Sequence, residues 1–280
     1  MVAVVAPLRY VASQAQPLYT YAYDPPDGAE RFNGTLVEHD MPIRDGRRLN
    51  DDVGLLGRGF MLTEQRTDVS RFDSTQQLMD VAYPEAETLV RHLTGAPHAR
   101  VFDHTLRRRA AHRPPLDGLG GSFAAVREPV GRVHADYTPR SAPIRLQQVL
   151  GVEAAARVRR SRYLIIGVWR PLLCEPLQDA PLALADARSV CRDHLLPNDI
   201  VYPDRRGQTY AVRHDPAHRW YYFADQTRNE VTVFVHFDSA RALDTVTGTC
   251  PHTAFEHPQT PADAVPRQSI ELRVLAWHDD

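Results

Sequence analysis

From residue 163 to 169 the chain reads Tyr-Leu-Ile-Ile-Gly-Val-Trp, and this unbroken apolar run predicts a strand covered on both faces. Short β-like pieces follow at 200–202, 208–214, 220–223 and 231–237, separated by turn residues. The intervening stretch 182–194 reads as a helix. Upstream the pattern is helical. Asp73 or Ser74 caps a helix over 75–81, and Pro84 suits the first turn of another, favoured by Glu85 and Glu87 and closed by Gly95. Ser141 and Pro143 open a second long helix over 144–159. Strands are expected at 99–104 and 130–137, joined by a Pro/Gly-rich link over 112–122. The N-terminal segment 1–58, rich in Pro, Gly and Asp, shows β character only at 18–23 and 34–37. Many short strands with helices supplied earlier predict a mainly β fold with flanking α: a sandwich or jelly roll backed by helices. Residues 1–280 are expected to form a single domain, with 1–58 a less regular segment packed on it.

Two strands alternate in a way that matters chemically. Arg132, His134 and Asp136 fall on one face of their strand, against Val133, Ala135 and Tyr137. Near the C-terminus Arg267, Ser269, Glu271 and Arg273 alternate with Gln268, Ile270, Leu272 and Val274. Such a strand either lies on a surface or turns its polar face into a ligand-holding barrel. Side chains at i and i+2 can reach one ion without bending the chain. Adding His252, from Cys-Pro-His-Thr-Ala-Phe, gives two imidazoles and a carboxylate, enough to cover one face of an octahedral Fe(II). Three positions then stay open for a chelating co-substrate and dioxygen. The Arg267-x-Ser269 pair offers donors for the distant carboxylate of such a co-substrate.

His-x-Asp alone proves little, because His236/Asp238 and His278/Asp280 share the spacing. Separation from the distal histidine distinguishes them. Asp238 is so close to His252 in sequence that the interval holds only a loop, whereas the long interval from Asp136 to His252 holds several strands. The plainer readings stay open here: His252 as a turn residue after Pro251, and Arg267 and Arg273 as surface ion-pair partners.

Composition narrows the chemistry further. All 33 basic residues are arginine, so the absence of lysine excludes Schiff-base catalysis, an internal aldimine and a Walker lysine. The net charge of -2 gives no electrostatic case for nucleic acid or an anionic membrane. No apolar run approaches the roughly 20 residues that span a bilayer. The stretch 1–6 is apolar but lacks a basic leader, so no signal peptide is expected. Cys174, Cys191 and Cys250 form no Cys-x-x-Cys pair, and a cytoplasmic location is expected.

Longer phrases then carry a family resemblance. They include Tyr-Pro-Glu-Ala-Glu (83–87), Val-Phe-Asp-His-Thr-Leu-Arg-Arg (101–108), Val-His-Ala-Asp-Tyr-Thr (133–138), Val-Trp-Arg-Pro-Leu (168–172), Pro-His-Thr-Ala-Phe (251–255) and Pro-Arg-Gln-Ser-Ile-Glu-Leu-Arg (266–273). Over about 59–275 the chain resembles the small non-haem iron oxygenases that include the cephamycin 7α-hydroxylase component, gibberellin-desaturase-like proteins and the endoperoxide-forming enzyme of novofumigatonin synthesis. The resemblance implies a double-stranded β-helix core and iron held by His134, Asp136 and His252. It further implies 2-oxoglutarate anchored by Arg267 with Ser269, dioxygen as oxidant, and a small-molecule substrate of specialised metabolism. One departure stands out. In many 2-oxoglutarate oxygenases the anchoring arginine follows the distal histidine more closely than Arg267 follows His252 here.

Candidates for the substrate wall are Arg107, Arg108, Tyr137, Trp169, Arg170 and Trp220. Trp169 and Trp220 read equally as core. The segment 1–58 is assigned to substrate or oligomer contacts, with a homodimer as the candidate assembly. Two competing functions remain: a cupin-like metal isomerase or epimerase, which gives Arg267 no role, and a ligand-binding relative without turnover.

Overall fold

The computed structural model describes residues 3–49, 53–120, 127–241 and 248–279. Gly121 and Ser122 of the expected link, and Asp280 of the third His-x-Asp, lie outside them. In chain order the strands are β1 (Ala3–Val11), β2 (Leu18–Tyr21), β3 (Leu36–Asp45), β4 (Phe60–Glu64), β5 (His98–Arg108), β6 (His134–Ala135) and β7 (Tyr163–Pro171). They continue with β8 (Leu182–Ala185), β9 (Leu195–Val201), β10 (Arg206–Val212), β11 (Trp220–Tyr222), β12 (Glu230–Asp238), β13 (His252–Ala254) and β14 (Gln268–Trp277). One sheet runs β1-β3-β11-β8-β13-β6-β10-β9-β2, the other β4-β12-β7-β14-β5. Together they make a jelly roll, as the spacing of short strands predicts.

The five-stranded sheet is sorted by residue parity. On β7, Leu164, Ile166 and Val168 face outward with Ile270, Leu272 and Val274 of β14 and Val231, Val233 and Val235 of β12. Onto this apolar face packs a continuous helix over 75–94, through Leu78, Ala82, Ala86 and Val90. Its interior makes one π turn, Leu78–Ala82, immediately before Pro84. The wider turn relieves the clash of a mid-helix proline ring with the carbonyl four residues back. That is why one helix replaces the two expected. Ser74 caps it by accepting from the Gln77 N–H, and Gly95 ends it at φ 69°.

The opposite parity on β14 is polar and points between the sheets: Ser269 and Glu271 are buried, and Arg273 reaches inward to Asp136. Of the two readings of that alternation, the barrel one holds. Gly167 of β7 matters here, because a Cβ on it would meet His236 Nε2 at 2.7 Å and the Phe234 ring at 2.7 Å. The missing side chain lets both rings of β12 lie across β7.

Four expectations need correction. Leu182–Ala185 is strand, not helix, followed by short 3-10 turns at Ala187–Ser189 and Arg192–His194. Its leucines join Phe60, Trp169 and Phe234, while Ala183 and Ala185 leave room for Tyr10 and Trp220 on the other face. Two-sided burial overrides helix propensity here. The 144–159 helix breaks into Ser141–Leu150 and Val152–Val158 because Gly151 takes φ 82°. The expected strand at 130–137 keeps only His134–Ala135 in the ladder. Finally, the segment 1–58 is not largely irregular: β1 pairs with β3 along its whole length, and β3 runs parallel to β11. Pro7 and Pro42 disguised those strands, yet both sit in the ladder near the sheet's edge, where a missing N–H is tolerated.

Gly167→Ala should lower stability by about 1–3 kcal/mol through overpacking. Urea unfolding measures it; an unchanged midpoint contradicts the close approach.

Candidate metal centre

His134 of β6 sits directly opposite His252 of β13 in an antiparallel pair, and their ring centroids are 4.4 Å apart. Each ring is oriented by a carbonyl two residues earlier in its own chain: His134 Nδ1 lies 2.9 Å from Arg132 O, and His252 Nδ1 lies 3.0 Å from Cys250 O. A carbonyl only accepts, so each Nδ1–H donates and each Nε2 is left with its lone pair free. Asp136, two residues beyond His134, brings Oδ1 to 3.6 Å from His134 Nε2. One ligand atom from each of the three lies within 4.8 Å of the others.

The electrostatics suit a cation. Burial, then the neighbouring His252, pushes the His134 pKa down to about 3, so the ring is neutral at physiological pH. Burial lowers His252 as well. For Asp136 burial opposes ionisation, but Arg273 and the surrounding histidines outweigh it and hold the carboxyl well below the usual carboxylate range. Arg273 reaches Asp136 Oδ2 with Nε at 3.0 Å and Nη2 at 2.9 Å. Oδ1 is thereby turned toward the histidines.

A second group, Asp136 with His236 and Glu271, is equally compact. It suits a metal less well. His236 Nε2 is 3.0 Å from Glu271 Oε1, and Arg273 lies 3.2 Å from that same oxygen. Its Glu271 oxygen is already taken by His236 and Arg273, and Asp136 Oδ2 by Arg273, although His236 Nδ1 has no hydrogen-bond partner among the described residues. Burial works against the Glu271 carboxylate, yet Arg273 and the His236 hydrogen bond bring its pKa to about 2.

Arg267 enters β14 with its side chain 2% exposed. Nε donates to Ser269 Oγ at 3.0 Å, Nη1 to Ala180 O at 2.7 Å, and Cζ lies 5.0 Å above the Trp169 ring. Asp179 holds its backbone N–H at 2.9 Å but commits Oδ1 to Arg109 at 2.7 Å. Among the described residues no carboxylate ion-pairs with the Arg267 guanidinium. Burial, then Arg107, lowers its pKa to about 9.

An open cavity of about 600 Å³ reaches His134, Asp136 and Arg273. Of the expected wall residues, Arg107 and Tyr137 line it. Trp169 lies between the sheets beneath Arg267. The structure places the others elsewhere: Arg108 is exposed, Arg170 bonds Gln65 and the Arg228 carbonyl, and Trp220 donates to Tyr10 Oη in the core. Asp238 is taken by Arg162 at 2.6 Å. Glu271, Arg273 and His236 were missed as site residues. For the first two the signal was present, since they continue the polar parity of Arg267 and Ser269.

Comparison with known proteins places the chain among relatives. Residues 8–277 match the family described as an oxidoreductase/YMDC permease-like domain. The Fe(II)/2-oxoglutarate-dependent dioxygenase nvfI of Aspergillus novofumigatus is 30% identical over 273 residues, 95% of this chain and 92% of that protein. The chain belongs to the Fe(II)/2-oxoglutarate-dependent dioxygenase family. A second member, the hydroxylase/desaturase efuI of Hormonema carpetanum, is 30% identical over 85% of this chain and 83% of its own length. The solved structure of the iron and alpha-ketoglutarate-dependent endoperoxidase NvfI superposes with a TM-score of 0.84 at 27% identity, covering 100% of this chain and 99% of that one. Membership makes the chain an oxidoreductase and leaves the isomerase and non-catalytic readings without support. Among the described residues no helix is long and apolar enough to cross a membrane.

The folded chain keeps His134 (about 3) and His218 (about 4) neutral where an unfolded chain protonates them near 6.5. Below pH 6.5 the unfolded state therefore binds more protons, and stability must fall as pH falls toward 4. Urea midpoints of metal-free protein at pH 7 and 5 check this; a midpoint that holds or rises at pH 5 contradicts it.

Proposed function

We propose that this protein uses Fe(II) held by His134, Asp136 and His252, with 2-oxoglutarate anchored by Arg267 and Ser269, to oxidise a C–H bond of a small molecule of specialised metabolism. The observation that carries the reading is the pair of opposed imidazoles with free Nε2 atoms beside one ionised carboxylate. The donor set fits the ion: neutral nitrogens and a carboxylate are what a hard-to-borderline divalent metal takes. When bound, iron and 2-oxoglutarate together supply the oxidising power from dioxygen, with succinate and carbon dioxide as by-products.

The chain's own residues do the positioning. The carbonyls of Arg132 and Cys250 hold both histidines in the ligating tautomer. Arg273 restrains Asp136 so that one oxygen stays available. The Arg267 guanidinium, over Trp169 and without a carboxylate partner among the described residues, is suited to the far carboxylate of the keto acid, and Ser269 fixes its orientation. Access for the substrate is from the side of His134 and Tyr137, where the cavity opens. Hydroxylation, desaturation and related outcomes differ in where the substrate carbon sits in that cavity.

We read 1–280 as one catalytic domain, a view supported by the interleaving of β1, β2 and β3 with the later strands of the nine-stranded sheet. Three unpaired cysteines support a reducing, cytoplasmic setting. The homodimer remains the proposed assembly.

Anaerobic addition of Fe(II) and 2-oxoglutarate should produce a weak visible charge-transfer band that is absent in His134→Ala and His252→Ala. Arg267→Ala should weaken 2-oxoglutarate at least tenfold, about 1.4 kcal/mol, with iron still bound. An unchanged affinity refutes the anchor.

A further inference from the structure

The cavity beside His134 and Asp136 is lopsided in charge. Nine arginines line it, against Asp103 and Asp136. Both aspartates are already engaged by Arg273, at 3.4 Å and 2.9 Å. Arginines at the mouth carry little weight, because water and salt screen them. Arg132 is not at the mouth. It shares the parity of His134 and Asp136, lines the same cavity, and is 8% exposed.

Its surroundings hold the guanidinium in place without neutralising it. Cζ lies 4.6 Å above the Phe32 ring, and Nη2 donates to Thr20 Oγ1 at 3.4 Å. Thr20 in turn is fixed by Asn198, at 3.2 and 3.1 Å. Among the described residues, Nε and Nη1 have no hydrogen-bond acceptor, and no carboxylate ion-pairs with Arg132. Arg31, also on the cavity wall, adds like charge, and Asp117 only partly offsets it. A buried, unpaired cation is costly, and an anion arriving through the cavity removes the cost. Arg267 does not duplicate this role, since it sits over the Trp169 ring and does not line the cavity.

We propose that Arg132 seats an anionic group of the substrate, so that the substrate is an organic acid bound through its carboxylate. The inference rests on the functional reading above and names the substrate class for that same site. The acid's carboxylate sits at Arg132 and its apolar body runs along Tyr137, Ile144 and Ile200, past the candidate ligands. A planar, weakly hydrated guanidinium is the side chain best matched to a carboxylate in such a place. Arg132 is a binding residue on this account and takes no part in the oxidation itself.

The test uses two probes of the same shape, naphthalene-1-acetate and naphthalene-1-acetamide, titrated calorimetrically into protein loaded anaerobically with Fe(II) and 2-oxoglutarate. Wild type should bind the acid at least tenfold more tightly than the amide. Arg132→Gln should abolish that preference while the charge-transfer band and 2-oxoglutarate affinity stay unchanged. Its melting temperature should fall little, because the lost charge has no ion-pair partner and Thr20 keeps its bonds to Asn198. Arg132→Lys keeps the charge and should retain much of the preference, which guards against mistaking a folding defect for a lost contact. Equal binding of acid and amide by wild type, or a preference that survives in Arg132→Gln, overturns the proposal. So does a loss of 2-oxoglutarate affinity in Arg132→Gln, which would make Arg132 the co-substrate's residue. If wild type gives no band at all, the functional reading fails, and the acid–amide comparison on metal-free protein still decides the anion seat.

Discussion

One antiparallel contact, His134 opposite His252, is the constraint on which the rest of the structure depends. β13 is held between β6 and β8, so the register of three strands converges on those two imidazoles. A slip of one residue anywhere in that set would turn a ring out of the site, because strand side chains alternate faces. The local carbonyls of Arg132 and Cys250 then settle the tautomer, and Asp136 follows two residues after His134. Nothing about this arrangement needs a flexible loop. It is a property of the ladder.

The inner face of β14 explains how so much charge is tolerated between two sheets. Arg273 pairs with Asp136 and Glu271 and reaches the exposed Asp103, and His236 completes the bonding of Glu271. Within that network both buried carboxylates contact the same guanidinium, and pairing with hydrogen bonding is the condition under which buried charge is tolerated. Arg267 and Arg132 stand outside it, both buried and neither paired with a carboxylate among the described residues. Buried cations without a carboxylate partner mark the places where a bound anion is worth most. On this view the protein separates its two anionic ligands in space, the keto acid's far carboxylate at Arg267 over Trp169 and the substrate carboxylate at Arg132 over Phe32.

Much of this was legible in the chain. Parity placed Ser269, Glu271 and Arg273 on one face, and loop length chose His134/Asp136 over His236/Asp238. What failed, failed for tertiary reasons. Leu182–Ala185 carries helix-forming residues and becomes strand because both of its faces are buried. β1 and β3 were hidden by prolines whose lost hydrogen bonds matter little near a sheet edge. Trp220 and Arg170 looked like pocket residues by type, yet their partners, Tyr10 and Gln65, come from distant parts of the chain that no local pattern links to them. His236 was discounted with Asp238 as a metal pair. His236 faces inward with Phe234, and the strand bulge between Val235 and Phe237 shifts the parity after it, so Asp238 goes to Arg162 instead.

The most direct test of the central claim is where a divalent ion binds. Crystals soaked anaerobically with Mn(II) as a redox-stable stand-in for Fe(II), and measured at the manganese edge, should give one anomalous peak at about 2.0–2.3 Å from Nε2 of His134, Nε2 of His252 and an oxygen of Asp136. A peak seated instead between His236 and Glu271, or none at saturating metal, contradicts the account.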